Sequence, residues 1–222
     1  MTGVDDASFR KAFAILWRRF RVTNWAEGRH PFDVLVSIIV SQNSTDLVTE
    51  RVMRDLAAAV PVRPKEIATA KASLLIAKLR PAGLSRQKVP RIQALAREIE
   101  TRFGGDVMRV LDDPNPRQAL MNLPGIGPKT ADVWMSLVAG HDAMPVDTHI
   151  ARLAHRWRLT RRQTYEATTA KLKDLIPPDQ RARGHLVLIQ FGREVCQARR
   201  PRCEACPVYD RCDAKVKRPR PV

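Results

Sequence analysis

A chain of 222 residues with 44% hydrophobic content can bury a sizeable core. Lys and Arg number 39 against 23 Asp and Glu, a formal net charge of +16. No 18 apolar residues run together, so no membrane span is expected, and Arg10, Lys11, Arg18 and Arg19 interrupt any leader-like apolar run.

A protein this basic is expected to meet a polyanion, nucleic acid first, in a reduced, cytoplasmic setting. A solvated basic surface is the plainer alternative.

Residues 8 to 20 place Phe9, Ala12, Phe13, Leu16, Trp17 and Phe20 at helical spacing, as an amphipathic core helix would. Pro31 opens an almost wholly apolar helix, Phe32 to Val40, which must lie in the core. Polar Ser41 to Asp46 follows, and Ser44 or Thr45 can cap a helix over Leu47 to Val60. Two short helices are expected from Lys65 to Arg80. Gly83 then marks a turn with Leu84 at its tip, where a leucine ordinarily tucks back onto the core. Val89, Ile92, Leu95, Ala96, Ile99 and Phe103 define a long helix closed by Gly104 and Gly105.

Leu123-Pro124-Gly125-Ile126-Gly127-Pro128-Lys129-Thr130-Ala131-Asp132 cannot continue either a helix or a strand through its glycines. Short helices flank it, Arg117 to Leu123 and Thr130 to Gly140, with Lys129 in the first turn of the second. This is either an ordinary pair of helices or a helix N-terminus with bare N–H groups that a phosphate can approach. Asp147 precedes the helical spacing of Ile150, Leu153, Ala154 and Trp157, so an N-cap accounts for it. Residues 149 to 173 carry seven Lys or Arg and one acid, Glu166. Helices are expected at Gln163 to Ile176 and Pro178 to Gly192. With no strand-like alternation, the chain reads all-α.

Cys196, Cys203, Cys206 and Cys212 are the only cysteines, spaced C-x6-C-x2-C-x5-C. In a reducing compartment two disulfides are disfavoured. Four thiolates suit a structural zinc or an iron–sulfur cluster equally well. Arg199, Arg200 and Arg202 fill the first loop. The tail Lys215 to Arg220 adds charge and is expected to be disordered.

The hairpin, Val146-Asp147-Thr148-His149-Ile150 and the cysteine spacing together resemble the endonuclease III branch of the helix-hairpin-helix DNA glycosylases, over about Phe32 to Cys212. The resemblance implies two all-α lobes. One is a helical barrel over 24–140 with the helix-hairpin-helix at about 117–139. The other joins 1–23 to 141–222 and carries a 4Fe–4S cluster in the loop 196–212, with all four cysteines as ligands. Duplex DNA containing damaged bases or abasic sites would lie across both, the target base entering the cleft between them, and the protein would act as a monomer.

It further implies DNA contacts from Gly125, Ile126, Gly127, Arg199 and Arg200, and an apolar wedge at Leu84. A glutamine would fill the gap left by the flipped base. Matching on the glutamine selects Gln42, and matching on Thr45-Asp46 selects Asn43.

Lys129 and Asp147 would be catalytic, for removal of oxidised pyrimidines through a Schiff base and β-elimination. An amine nucleophile must be neutral, and a free lysine with a pKa near 10.4 is neutral only about once in 2,500 molecules at pH 7. A helix N-terminus, neighbouring cations and desolvation all favour the neutral form. Asp147 would take up the amine proton or stabilise positive charge developing on the sugar. His149 is left structural.

Asp132, where the family often has asparagine, and Trp134, near which it has smaller residues, depart from the pattern. A monofunctional mismatch glycosylase or a non-catalytic iron–sulfur DNA-binding protein are the rival readings, and retention of both Lys129 and Asp147 weighs against them.

Overall fold

The computed structural model describes residues 4–212 and 214, so Lys215 to Arg220 lie outside the described residues. The described residues form eleven α-helices joined by turns and short 3-10 segments, with no strand. The all-α expectation holds. No helix is long and apolar enough to cross a membrane. The chain divides into two compact units, residues 26–139 and residues 1–25 with 140–222.

The unit 26–139 is built on α2 (Pro31–Ser41). Pro31 presets the first helical turn, and the His30 ring accepts the Phe32 N–H at 3.2 Å. Phe32 and the whole run Val34 to Val40 are buried, each large apolar side chain worth about 1.5–3 kcal/mol. Around α2 stand α3 (Asp46–Ala57), capped by Thr45 rather than Ser44, α4 (Pro64–Thr69), α5 (Ala72–Leu79) and α6 (Ser85–Phe103). The unit closes with α7 (Pro116–Met121) and α8 (Pro128–Leu137). Every residue of α8 from Thr130 to Leu137 is buried. The Trp134 indole donates to the Pro31 carbonyl at 3.0 Å, tying α8 to the start of α2.

The other unit packs α1 (Asp6–Arg19) with α9 (Thr148–Trp157), α10 (Tyr165–Leu175) and α11 (Arg181–Glu194). Phe9 meets Trp157 edge-on at 5.8 Å between centroids, and Trp157 stacks on Phe191 at 6.1 Å. Two glycines set the helix spacing. A Cβ on Gly184 would sit 2.9 Å from the Phe13 ring, and one on Gly192 2.9 Å from the His149 Cβ.

Two helix starts differ from expectation by more than a residue or two. α6 begins at Ser85 rather than Val89, with Pro90 inside it. The final long helix begins at Arg181, because Pro178 to Gln180 form a 3-10 turn.

Candidate active site and nucleic-acid interface

The hairpin between α7 and α8 is a tight reversal. The Ile126 N–H donates to the Leu123 carbonyl at 3.2 Å, and Gly125 takes φ +80°, a left-handed conformation that favours glycine. Ile126 turns its side chain into the core, so only its backbone can meet a ligand. Gly127 is different: it is extended (φ −101°) and a Cβ there would meet nothing within 4 Å. Neither conformation nor packing requires a glycine at 127, as would be the case if its smallness served something that approaches from outside.

Gly127 caps α8 without a side-chain bond, and the first intrahelical bond runs from Ala131 to its carbonyl at 2.9 Å. Among the described residues the N–H groups of Gly127, Lys129 and Thr130 therefore have no acceptor. Aligned, unpaired N–H groups at a helix start attract anions. Lys129, the second residue of α8, is exposed beside them. One turn on, buried Asp132 receives two hydrogen bonds from Arg117 of α7, at 2.6 and 3.1 Å, which clamp the two helices together.

These two glycines give opposite expected results. Gly125→Ala forces a Cβ into left-handed backbone and destabilises the fold by about 1–2 kcal/mol, read as a lower melting temperature. Gly127→Ala leaves the melting temperature unchanged and weakens DNA binding several-fold in a titration. Undiminished binding would remove the hairpin from the interface.

Two further tips belong to the same unit. Ser41 to Ser44 form a type II turn: Gln42 has φ −59°, ψ 122°, Asn43 has φ +57°, and the Ser44 N–H donates to the Ser41 carbonyl at 3.0 Å. Both side chains are exposed. Asparagine suits the left-handed third position of such a turn, so Asn43 has a backbone reason for its identity that Gln42 lacks.

The second tip is Gly83–Leu84, with φ +71° and +54° in succession. Leu84 is 46% exposed and starts α6 in left-handed conformation. It does not tuck back onto the core. A half-exposed leucine held in a conformation that disfavours leucine gains little from burial and carries strain.

In the other unit Asp147 caps α9, its Oδ1 accepting the Ile150 N–H at 2.8 Å. The side chain is buried, yet no donor among the described residues reaches Oδ2. Two residues on, His149 Nδ1 lies 3.1 Å from Arg152 Nη2, so Nδ1 accepts and the ring proton sits on Nε2. Burial holds the His149 imidazole below its ordinary value, with Arg152 and Arg193 reinforcing it against Asp147.

The same helix anchors the cysteine loop, which is a role sequence reasoning missed. Arg152 Nε donates to the Cys196 carbonyl at 3.1 Å. Arg156 donates to Cys196 Sγ at 3.0 Å and to the carbonyls of Cys196, Gln197 and Ala198. The signal was present as two arginines four apart on one face of the helix.

Cys196, Cys203, Cys206 and Cys212 form no disulfide and line one pocket, partly open to solvent, with Trp157, Phe191, Val195, Pro201 and Val208. Burial pushes the Cys206 thiol up to about 11, so iron must displace its proton to bind. Among the described residues no three Cys, His, Asp or Glu side chains are grouped tightly enough to hold one metal ion. Four thiols around one mostly apolar pocket suit an iron–sulfur cluster, and Arg156 already supplies a hydrogen bond to one sulfur. Arg199 and Arg200 stand exposed on this loop.

Known proteins agree with this reading. The HhH-GPD superfamily base excision DNA repair protein family matches residues 36–178, and the iron-sulfur binding domain of endonuclease III matches residues 196–212. The cysteine loop thus carries a 4Fe–4S cluster. The chain is 33% identical to endonuclease III of Thermotoga maritima over 82% of its own length and 83% of the relative's. A solved trapped endonuclease III–DNA covalent intermediate superimposes with a TM-score of 0.85 at 28% identity, covering 94% of this chain and 96% of that one. A thermostable thymine-DNA glycosylase shares the fold, with a TM-score of 0.79 at 23% identity and coverage of 94% and 95%. An exposed lysine on a glycine hairpin, a capping aspartate and a four-thiol loop thus occur here in a fold already associated with excision of bases, and the chain belongs to the endonuclease III family.

Proposed function

We propose that this chain excises oxidised pyrimidines from duplex DNA and then nicks the strand, as a monomeric bifunctional DNA glycosylase and AP lyase of the cytoplasm. The observation that carries this reading is Lys129. It is an exposed amine on the second residue of α8, beside N–H groups that have no acceptor among the described residues. A phosphate held by those groups would bring the backbone of the target nucleotide to the amine.

With the damaged base turned out of the stack, the neutral Lys129 amine attacks C1′. The N-glycosidic bond breaks, and its electron pair leaves with the base, which takes up a proton. Ring opening gives a Schiff base between Lys129 and the sugar. The positive iminium acidifies the 2′ hydrogen. Loss of that proton drives its electrons into a C2′–C3′ double bond and expels the 3′ phosphate, and water then releases Lys129. Asp147, with Oδ1 fixed by its own helix, offers Oδ2 to the positive charge that develops on the sugar as the base departs. Leu84 and either Gln42 or Asn43 occupy the duplex around the extruded nucleotide. Gly125, Ile126 and Gly127 meet phosphates through their backbone, and Arg199 and Arg200 through their side chains. Cys196, Cys203, Cys206 and Cys212 would hold the cluster and so tie down the loop that presents these two arginines.

Three duplexes test the reading, carrying thymine glycol, a preformed abasic site, or a G·T mismatch. Nicking of the first two without alkali is the expected result. Base loss from the mismatch alone, with nicking only after alkali, would make the protein a monofunctional mismatch glycosylase. Binding with no product would make it a DNA-binding protein.

A further inference from the structure

Lys88 is the buried charge that the mechanism does not use. It lies on α6, one turn beyond Leu84, and is 3% exposed. Its ammonium donates to the Val40 carbonyl at 2.7 Å and to the Ala82 carbonyl at 2.9 Å. No carboxylate pairs with it among the described residues, and burial alone holds its pKa below the ordinary lysine value. A desolvated cation without a counter-ion is a poor way to fill a core. What it obtains is two carbonyls from segments 42 residues apart in the sequence, one in the last turn of α2, where the helix dipole favours a cation.

The location of those carbonyls is informative. Val40 lies two residues before Gln42, and Ala82 lies two residues before Leu84. Backbone bonds carry the connection to each tip. The Lys88 N–H itself donates to the Leu84 carbonyl at 2.9 Å, and the Gln42 N–H donates to the Ile39 carbonyl at 3.3 Å. One side chain is therefore bonded to the root of both exposed tips of the unit.

We propose that Lys88 is a positioning residue that sets the separation between the Ser41–Ser44 turn and the Gly83–Leu84 tip. Discrimination for damaged duplex thus depends on Lys88 although it touches no DNA. The inference rests on the reading of these tips as the groups that enter the duplex. An apolar side chain at 88 would fill the space but leave two carbonyls without a donor, and the tips free to drift apart.

Lys88→Met, Leu84→Ala and the double variant are compared on a thymine-glycol duplex and on a single-stranded abasic oligonucleotide. The single strand needs no base turned out of a duplex. Lys88→Met is expected to lower kcat/KM on the duplex at least tenfold while single-strand nicking stays within threefold of wild type. In the Leu84→Ala background it should cost less than threefold more, because the tip it positions is already gone. Lys88→Gln, which keeps two donor hydrogens on a shorter arm, should fall between wild type and Lys88→Met, and it carries the same comparisons if the methionine variant does not fold. Equal losses on both substrates would make Lys88 merely structural and overturn the proposal, as would losses that multiply in the double variant. If Leu84→Ala alone changes nothing, the reading of Leu84 as a wedge falls, and the inference with it.

Discussion

Lys129→Gln is expected to abolish both strand nicking and the covalent adduct that borohydride traps during reaction with damaged DNA. Lys129 is exposed, so glutamine disturbs no packing, and it is as good a helix former. What disappears is the amine. Without it the chain retains base flipping and electrostatic stabilisation but has no nucleophile to open the sugar. A fall of at least about a thousandfold follows, corresponding to about 4 kcal/mol in the barrier. Binding should survive, since removing a single phosphate contact lowers the salt slope by only about 0.9. An adduct that still forms in Lys129→Gln would move the nucleophile elsewhere.

Asp147→Asn is the second large effect, and the N-cap makes it unusually clean. Asparagine caps a helix about as well as aspartate, so α9 and the loop anchored to it stay in place while the negative charge is lost. Base release from thymine glycol should slow by about a hundredfold or more, within the range of removing one electrostatic stabiliser. A preformed abasic site has no base to expel, so nicking there should suffer much less. Asp147→Ala is the structural control, losing the cap as well as the charge and melting lower by about 1 kcal/mol of stability. Equal defects of Asp147→Asn on both substrates would sink the role assigned to its charge.

Much of this molecule was legible from its residues. The apolar run of α2, the periodicity of α6 and the paired glycines of the hairpin each left a pattern that one physical cause explains. The cysteine spacing restricted the metal chemistry before any coordinates, and the choice of a cluster came from resemblance. Much of what stayed hidden was charged residues with interior partners. Lys88 reads as solvent-facing, so the first turn of α6 lost its core position and the helix seemed to begin at Val89. Arg152 and Arg156 counted toward a basic surface, yet each grips carbonyls of the cysteine loop. Gly184 and Gly192 gave no signal either, because a glycine inside a helix marks a close approach only once the neighbouring helix is known. The exposure of Leu84 was foreseen only through the resemblance, since an isolated apolar residue in a loop is ordinarily buried.

The two successive left-handed residues at Gly83 and Leu84 bear on the timing of recognition. A non-glycine residue in that conformation raises the energy of the folded state by about 1–2 kcal/mol whether or not a ligand is present. The tip is thus shaped during folding rather than at encounter, and the ordering entropy a floppy loop would surrender on binding has already been lost. If Leu84 enters the duplex as proposed, a protein that must interrogate a vast excess of intact base pairs would gain from a tip already in its binding shape. Each trial contact would then be quick to make and quick to abandon, with no slow rearrangement between touching the duplex and testing it.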